Sequence, residues 1–161
     1  APFSFTTEET GGIIGNGDIT MDWIVHVLKR TVDTQYRTKA DRRHTFLAGS
    51  SMGGLMTLYG LLVYPEVFSR GAALSPSLWI DAEKVKAMIR HARVKRNTVL
   101  YMDYGALEFA DHPHSRSLFA EVSALLIEKR VLLNSRIVPR GTHCEASWEK
   151  QIPFFMKTLF E

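Results

Sequence analysis

Two side chains, distant in sequence, have the types and settings that nucleophilic chemistry needs. Gly49-Ser50-Ser51-Met52-Gly53 has the form G-x-S-x-G. A free serine hydroxyl is a poor nucleophile near neutral pH and needs a base to take its proton. Of the six histidines, His143 is the best placed, in VPRGTHCEASW, just past the last apolar run. A working imidazole also needs a carboxylate to fix its tautomer and stabilise its charge. The stretch YMDYGALEFADH offers Asp103, Glu108 and Asp111. Together these groups describe acyl transfer through a covalent serine intermediate.

The elements around these residues must bring them to one place. HTFLAG (44–49) reads as a short buried strand, and the run from Met52 to about Tyr64 reads as a helix stopped by Pro65. A G-x-S-x-G between strand and helix is the informative context for that pattern. The turn would hold Ser51 in a strained conformation, with Gly49 and Gly53 small because a side chain at either would strike the neighbouring backbone. The Met52 N–H, at the helix start, would then point at the oxygen of an attacked carbonyl.

The same alternation repeats downstream. RGAALSPS (70–77) reads as strand and loop, 81–92 as a helix N-capped by Asp81, and 98–105 as a strand. Residues 115–130 read as an amphipathic helix, 133–139 as a last strand, and 145–160 as a last helix kinked by Pro153. Upstream, Ile19, Trp23, Ile24, Val27, Leu28 and Val32 recur at helical spacing over 19–38, with Asp18 as N-cap, and 6–18 reads as a loop. The expectation is an α/β chain with a parallel sheet of about four strands and helices on both faces. The C-terminal strand ends of such a sheet share one rim. Ser51 and His143 both fall there, nucleophile first and histidine last. Glu108 lies on a loop just past Gly105 and is preferred as the acid, then Asp111, then Asp103, which sits within or at the end of the strand.

Other residues invite weaker readings. Asp111, His112 and His114 resemble part of a metal site, but no further ligand is evident, so no metal and no organic cofactor is expected. Cys144 lacks a base of its own and reads as a small buried residue. Trp79 reads equally as pocket wall or core; it is placed with Ser50 among the candidate substrate-binding residues. Lys84, Lys86, Arg90, Arg93, Lys95 and Arg96 read as a solvated helix face, or as an attraction for an anionic substrate.

Composition narrows the classes. The chain has 161 residues, enough for one domain with a sizeable core, and is 45% hydrophobic and 23% charged. A net charge of +3 without a basic block gives no case for nucleic acid. No apolar run approaches the ~18 residues of a membrane span. The single cysteine rules out an internal disulfide, which slightly favours a cytoplasmic location. Residue 1 is Ala rather than Met, so the chain is expected to begin inside a longer protein or to have lost an upstream segment.

YRTKADRRHTFLAGSSMGGLMTLYGLLVYPEVFSRGAALSPSLW, continued by GTHCEASWEKQIPFFMKTLF, resembles the putative-esterase family of the α/β-hydrolase superfamily. That group includes esterase D-like, enterochelin esterase-like and feruloyl-esterase-type domains. The resemblance runs from about Gly15 onward and implies Ser51 as nucleophile, His143 as base and the Met52 N–H as one oxyanion donor. The family's acid usually follows a glycine a few residues past the third of these strands, which matches Glu108. Family members carry several more strands before the helix that begins near Ile19, and a loop there supplies the second oxyanion donor. By that comparison residues 1–161 are a single partial domain, the C-terminal part of an α/β-hydrolase fold. The expected partners are therefore a small-molecule ester and a missing N-terminal segment, or a second chain, that completes the sheet beside residues 44–49. The activity it implies is a serine carboxylesterase, with siderophore or short acyl esters as substrates. The rival readings are a non-catalytic binding or scaffold domain that keeps the fold, and a peptidase or thioesterase.

Overall fold

The four apolar runs pair side by side in chain order. β1 (Phe46–Ser50), β2 (Arg70–Leu74), β3 (Val99–Gly105) and β4 (Leu132–Val138) form one parallel sheet, β1-β2-β3-β4. The structure is a computed structural model that describes Pro2, residues 15–110 and residues 113–161. The register aligns Ser50 with Leu74, Leu74 with Asp103 and Asp103 with Arg136, so the strand ends meet at one rim.

Helices cover both faces. α1 (Gly17–Trp23) runs through a π-helical turn, Ile24–Leu28, into α2 (Lys29–Gln35). α3 (Met52–Val63) follows β1, α4 (Ala82–His91) follows β2, and α5 (Ser115–Glu128) follows β3. After β4 come α6 (Glu145–Trp148) and α7 (Ile152–Phe160). The period-2 alternation of strands sorts the sheet's side chains. Ala73, Leu100, Met102 and Tyr104 pack with Leu55, Leu58 and Leu61 of α3, Val85 and Ile89 of α4, and Val122 and Leu126 of α5. Ala72, Leu74 and Tyr101 pack on the opposite face with Leu159 and Phe155 of α7. A fully buried aliphatic side chain contributes ~1.5–3 kcal/mol, so the α3–α5 face carries most of the hydrophobic stabilisation.

The helix capped by Asp81 forms as its sequence implies: the Asp81 carboxylate accepts from the Lys84 N–H at 3.0 Å. Other expectations need correction. Asn16, not Asp18, occupies the N-cap of α1, and Asp18 lies in its first turn. Gly17 is already helical, and most of the expected 6–18 loop lies outside the described residues. β1 starts at Phe46 because Arg42–His44 is a 3₁₀ turn capped by the Asp41 carboxylate. The last helix is broken rather than kinked: Glu149–Gln151 is 3₁₀, and Pro153 sits in the first turn of α7, where its missing N–H costs no hydrogen bond.

The apolar stripe of the first helix is the main departure. Met21 and Val25 are buried, whereas Ile19, Trp23, Val27, Leu28 and Val32 are exposed, Ile19 by 65%. The cause is topological. β1 is paired on one side only, and no further strand lies beyond it among the described residues. Helical periodicity marks an apolar face but does not supply the surface that covers it. No helix among the described residues is long and apolar enough to cross a membrane.

Candidate active site

The β1–α3 turn is tight because two backbones nearly touch. A Cβ on Gly49 would lie 2.5 Å from the carbonyl carbon and oxygen of Gly53, so only glycine fits there. Gly53 itself corrects the expectation: a Cβ on it would meet nothing within 4 Å. The close approach inside α3 belongs instead to Gly54, 3.0 Å from the Leu74 carbonyl oxygen and Pro76 Cα. At the apex Ser51 takes φ 54° and ψ −119°, a left-handed conformation that costs a serine energy and that the surrounding contacts must impose. The Ser51 N–H donates to the Leu74 carbonyl at 2.9 Å, and its own carbonyl accepts from Leu55 and Ser77 N–H groups, both at 3.1 Å. These three bonds hold the serine at the rim. Met52 is the first residue of α3. Its N–H is among those with no acceptor inside the helix and lies at the positive end of the helix dipole.

From Ser51 a chain of hydrogen bonds crosses the rim. Ser51 Oγ lies 2.8 Å from His143 Nε2, and His143 Nδ1 lies 2.7 Å from Glu108 Oε2. With the ring proton on Nδ1, the imidazole donates to Glu108 and accepts from Ser51. Glu108 is 4% exposed, yet its charge is well solvated by protein donors. Its Oε1 accepts from the Gly105 N–H at 2.8 Å and from Ser75 Oγ at 2.7 Å. Gly105 makes room for this: a Cβ there would lie 2.5 Å from Oε1 and from the Gly141 backbone. His143 is partly open to solvent, with its side chain 42% exposed. A substrate can reach the imidazole while the carboxylate stays dry.

Of the three candidate acids, the structure brings Glu108 to the imidazole. Asp103 is buried elsewhere, accepting from the Tyr101 hydroxyl at 2.7 Å and the Ser75 N–H at 3.2 Å. Burial is the main cause that raises its carboxyl pKa above the usual range, and burial, with the neighbouring Asp103 second, raises that of the Tyr101 phenol. Asp111 and His112 lie outside the described residues, so the metal reading of that stretch concerns residues of which only His114, just before α5, is described. Among the described residues no cluster of three or more His, Cys, Asp or Glu side chains is placed to hold a metal ion.

The other candidates are placed as follows. Ser50 ends β1, directly before the nucleophile candidate. Trp79 is 37% exposed and is therefore not core. It walls a cleft of about 420 Å³ with Ala82, Lys86, His114 and Leu118. Three of the six basic residues of that stretch are ion-paired: Lys84 with Asp81 at 2.9 Å, Lys86 with Glu83 and Glu121 at 2.6 and 3.3 Å, and Lys95 with Glu66. Cys144 is half-buried rather than fully enclosed, and a hydrogen bond with the Thr142 hydroxyl is the main cause of its lowered thiol pKa.

Three participants escaped the sequence reading. Ser77 Oγ lies 3.3 Å from Ser51 Oγ, Ser75 bonds Glu108, and Trp148 Nε1 donates to Ser75 Oγ at 3.0 Å while its ring stands edge-on to His143. The one available signal was position: both serines follow β2 at the rim, and Trp148 lies one helical turn past the histidine loop.

Comparison with known proteins agrees with this architecture. The residue profile of a family described as putative esterase matches residues 16–156. An iron(III) salmochelin esterase of Escherichia coli O6:H1 is 35% identical over 78 residues, which is 48% of this chain and 19% of that protein. Among solved structures, an IroE-like serine hydrolase from Shewanella oneidensis superposes with a TM-score of 0.76 at 19% identity, covering 98% of this chain and 51% of the other. The siderophore hydrolase EstA from Aspergillus nidulans gives 0.71 at 18% identity, covering 99% of this chain and 64% of the other. These structural likenesses concern the fold, and the chain spans about half to two thirds of each of those two proteins. A match over nearly the whole chain, on a parallel α/β sheet with this rim, makes it a member of the putative-esterase family.

Proposed function

We propose that the chain carries a serine carboxylesterase site with Ser51 as nucleophile, His143 as general base and Glu108 as the orienting acid. The observation that supports this above all is the continuous Ser51–His143–Glu108 hydrogen-bond chain, with links of 2.8 and 2.7 Å. A non-catalytic domain that merely kept the fold gives no reason for that alignment. As His143 Nε2 takes its proton, Ser51 Oγ forms a bond to the ester carbonyl carbon, and the carbonyl oxygen becomes an oxyanion facing the Met52 N–H. The C–O bond to the alcohol breaks, His143 returns the proton to the departing oxygen, and an acyl-Ser51 remains. Water then adds to the acyl carbon, giving a proton to His143, and the acid is released as Ser51 recovers its proton. Ionised Glu108 stabilises the imidazolium formed in both halves.

On this reading Trp79 and Ser50 contact the acyl or alcohol group, although the cleft walled by Trp79 is lined by neither Ser50 nor Ser51. The substrate in this reading is a siderophore ester or a short acyl ester. The names of the salmochelin esterase and siderophore hydrolase relatives favour the first.

The reading includes a partner for β1. Its outer edge, unpaired among the described residues, the exposed stripe of α1 and α2, and a cleft of about 350 Å³ between Ile24, Leu28, Val32 and Phe46, Leu47, Phe68 suit another strand. The occupant we assign is a segment of the same protein outside residues 1–161, since the related structures are longer than this chain. Such a strand could bring the second oxyanion donor, worth ~10²–10³ in turnover.

The test is a fluorophosphonate probe on the full-length protein, read by mass spectrometry, with p-nitrophenyl butyrate turnover measured in parallel. Labelling at Ser51, and loss of both signals in Ser51→Ala, is expected. Undiminished turnover in folded Ser51→Ala would overturn the assignment.

A further inference from the structure

We propose that Ser75 and Trp148 are positioning residues that lock Glu108 against His143, an inference that rests on the esterase reading above. Trp148 Nε1–H can only donate, and it donates to Ser75 Oγ at 3.0 Å. The single hydroxyl proton of Ser75 is therefore directed the other way, onto Glu108 Oε1 at 2.7 Å. Oε1 is fixed by this proton and by the Gly105 N–H at 2.8 Å, which leaves Oε2 aimed at His143 Nδ1. The same indole stands edge-on to the imidazole, with ring centroids 4.9 Å apart. Trp148 thus touches the base directly and the acid through one hydroxyl. It ties the β4–α6 segment, which carries His143, to the β2 end, which carries Ser75.

The backbone of Ser75 strengthens the case. It is 1% exposed and sits at φ 40°, where glycine is at ease and serine is not. Its N–H is held by the Asp103 carbonyl at 3.1 Å and by Asp103 Oδ1 at 3.2 Å. The conformation places the hydroxyl on Glu108, and only a residue with that hydroxyl gains from it. Strain of this kind clusters at functional sites. If the bond served packing alone, its loss would lower stability and leave turnover per folded molecule unchanged.

The experiment compares Ser75→Gly, Trp148→Phe and Ser51→Ala in the full-length protein. The readouts are kcat and KM on p-nitrophenyl butyrate, the far-downfield proton NMR signal of His143 Nδ1–H, and the melting temperature. Ser75→Gly keeps a residue suited to φ 40° and removes the CH2OH group; Trp148→Phe keeps an aromatic ring and removes the N–H with the five-membered ring that carries it. In both, kcat is expected to fall roughly 10- to 100-fold with KM within about twofold, as for a small misplacement of catalytic groups. The Nδ1–H signal should move or vanish while the melting temperature holds. If Ser75→Gly fails to fold, Trp148→Phe supplies the same readouts. Unchanged kcat and an unchanged proton signal in the folded variants, with Ser51→Ala inactive, would overturn the positioning role and leave the esterase reading intact. Turnover surviving in Ser51→Ala would remove the reading and this inference with it.

Discussion

Helices α4 and α1–α2 have similar amphipathic patterns and opposite fates. In α4 the apolar positions Val85 and Ile89 are fully buried against α3, α5 and the sheet. In α1–α2 only Met21 and Val25 are buried, and Ile19, Trp23 and Val27 face outward, at least half of each side chain's surface remaining accessible in the first two. The difference lies in what each helix rests on. α4 crosses over strands paired on both sides, whereas α1–α2 overhangs β1, which among the described residues has a neighbour on one side only. The site spans the same contrast. Glu108 follows β3, which is paired on both sides, whereas Ser51 and Met52 follow β1 and His143 follows β4, the two edge strands of the sheet among the described residues.

The contrast can be probed from either side. The largest effect belongs to the finished half: Glu108→Gln in the full-length protein should cut kcat by about 10⁴, as loss of the acid does in other serine hydrolases. A loss under tenfold, measured on p-nitrophenyl butyrate, would place the orienting charge elsewhere. Next comes a paired truncation. Ile89→Ala removes a fully buried side chain and should cost about 2–5 kcal/mol by urea unfolding. Ile19→Ala in residues 1–161 should cost under about 0.5 kcal/mol, since it leaves no cavity. Equal costs would mean the α1–α2 stripe is covered in solution, for instance by a second copy. A clear cost for Ile19→Ala in the full-length protein alone would support the additional strand. The smallest effect is local: Asp81→Ala removes the cap of α4 and should cost about 1 kcal/mol with no change in kcat.

Much of this arrangement was legible beforehand, and for physical reasons. Helix and strand periods differ enough that the alternation stands out, and a backbone approach so close that a Cβ on Gly49 would lie 2.5 Å from Gly53 leaves its mark as a glycine. The Asp81 cap could be read because its chemistry is local. The exposed stripe could not, because a sequence period reports which residues share a face and not what lies opposite. Ser75 and Trp148 were missed for the same reason. Their link joins positions 73 residues apart and depends on a left-handed serine that no pattern announces.

The nucleophile candidate and the imidazole stand 92 positions apart in the chain, on the first and last strand ends of the sheet. During synthesis the β1 turn emerges long before the His143 loop. Until that last strand docks, Ser51 is an ordinary alcohol with nothing to take its proton. On the proposed reading, a ribosome-bound or partly folded chain is chemically inert, and hydrolytic power switches on only when the final segment closes the sheet.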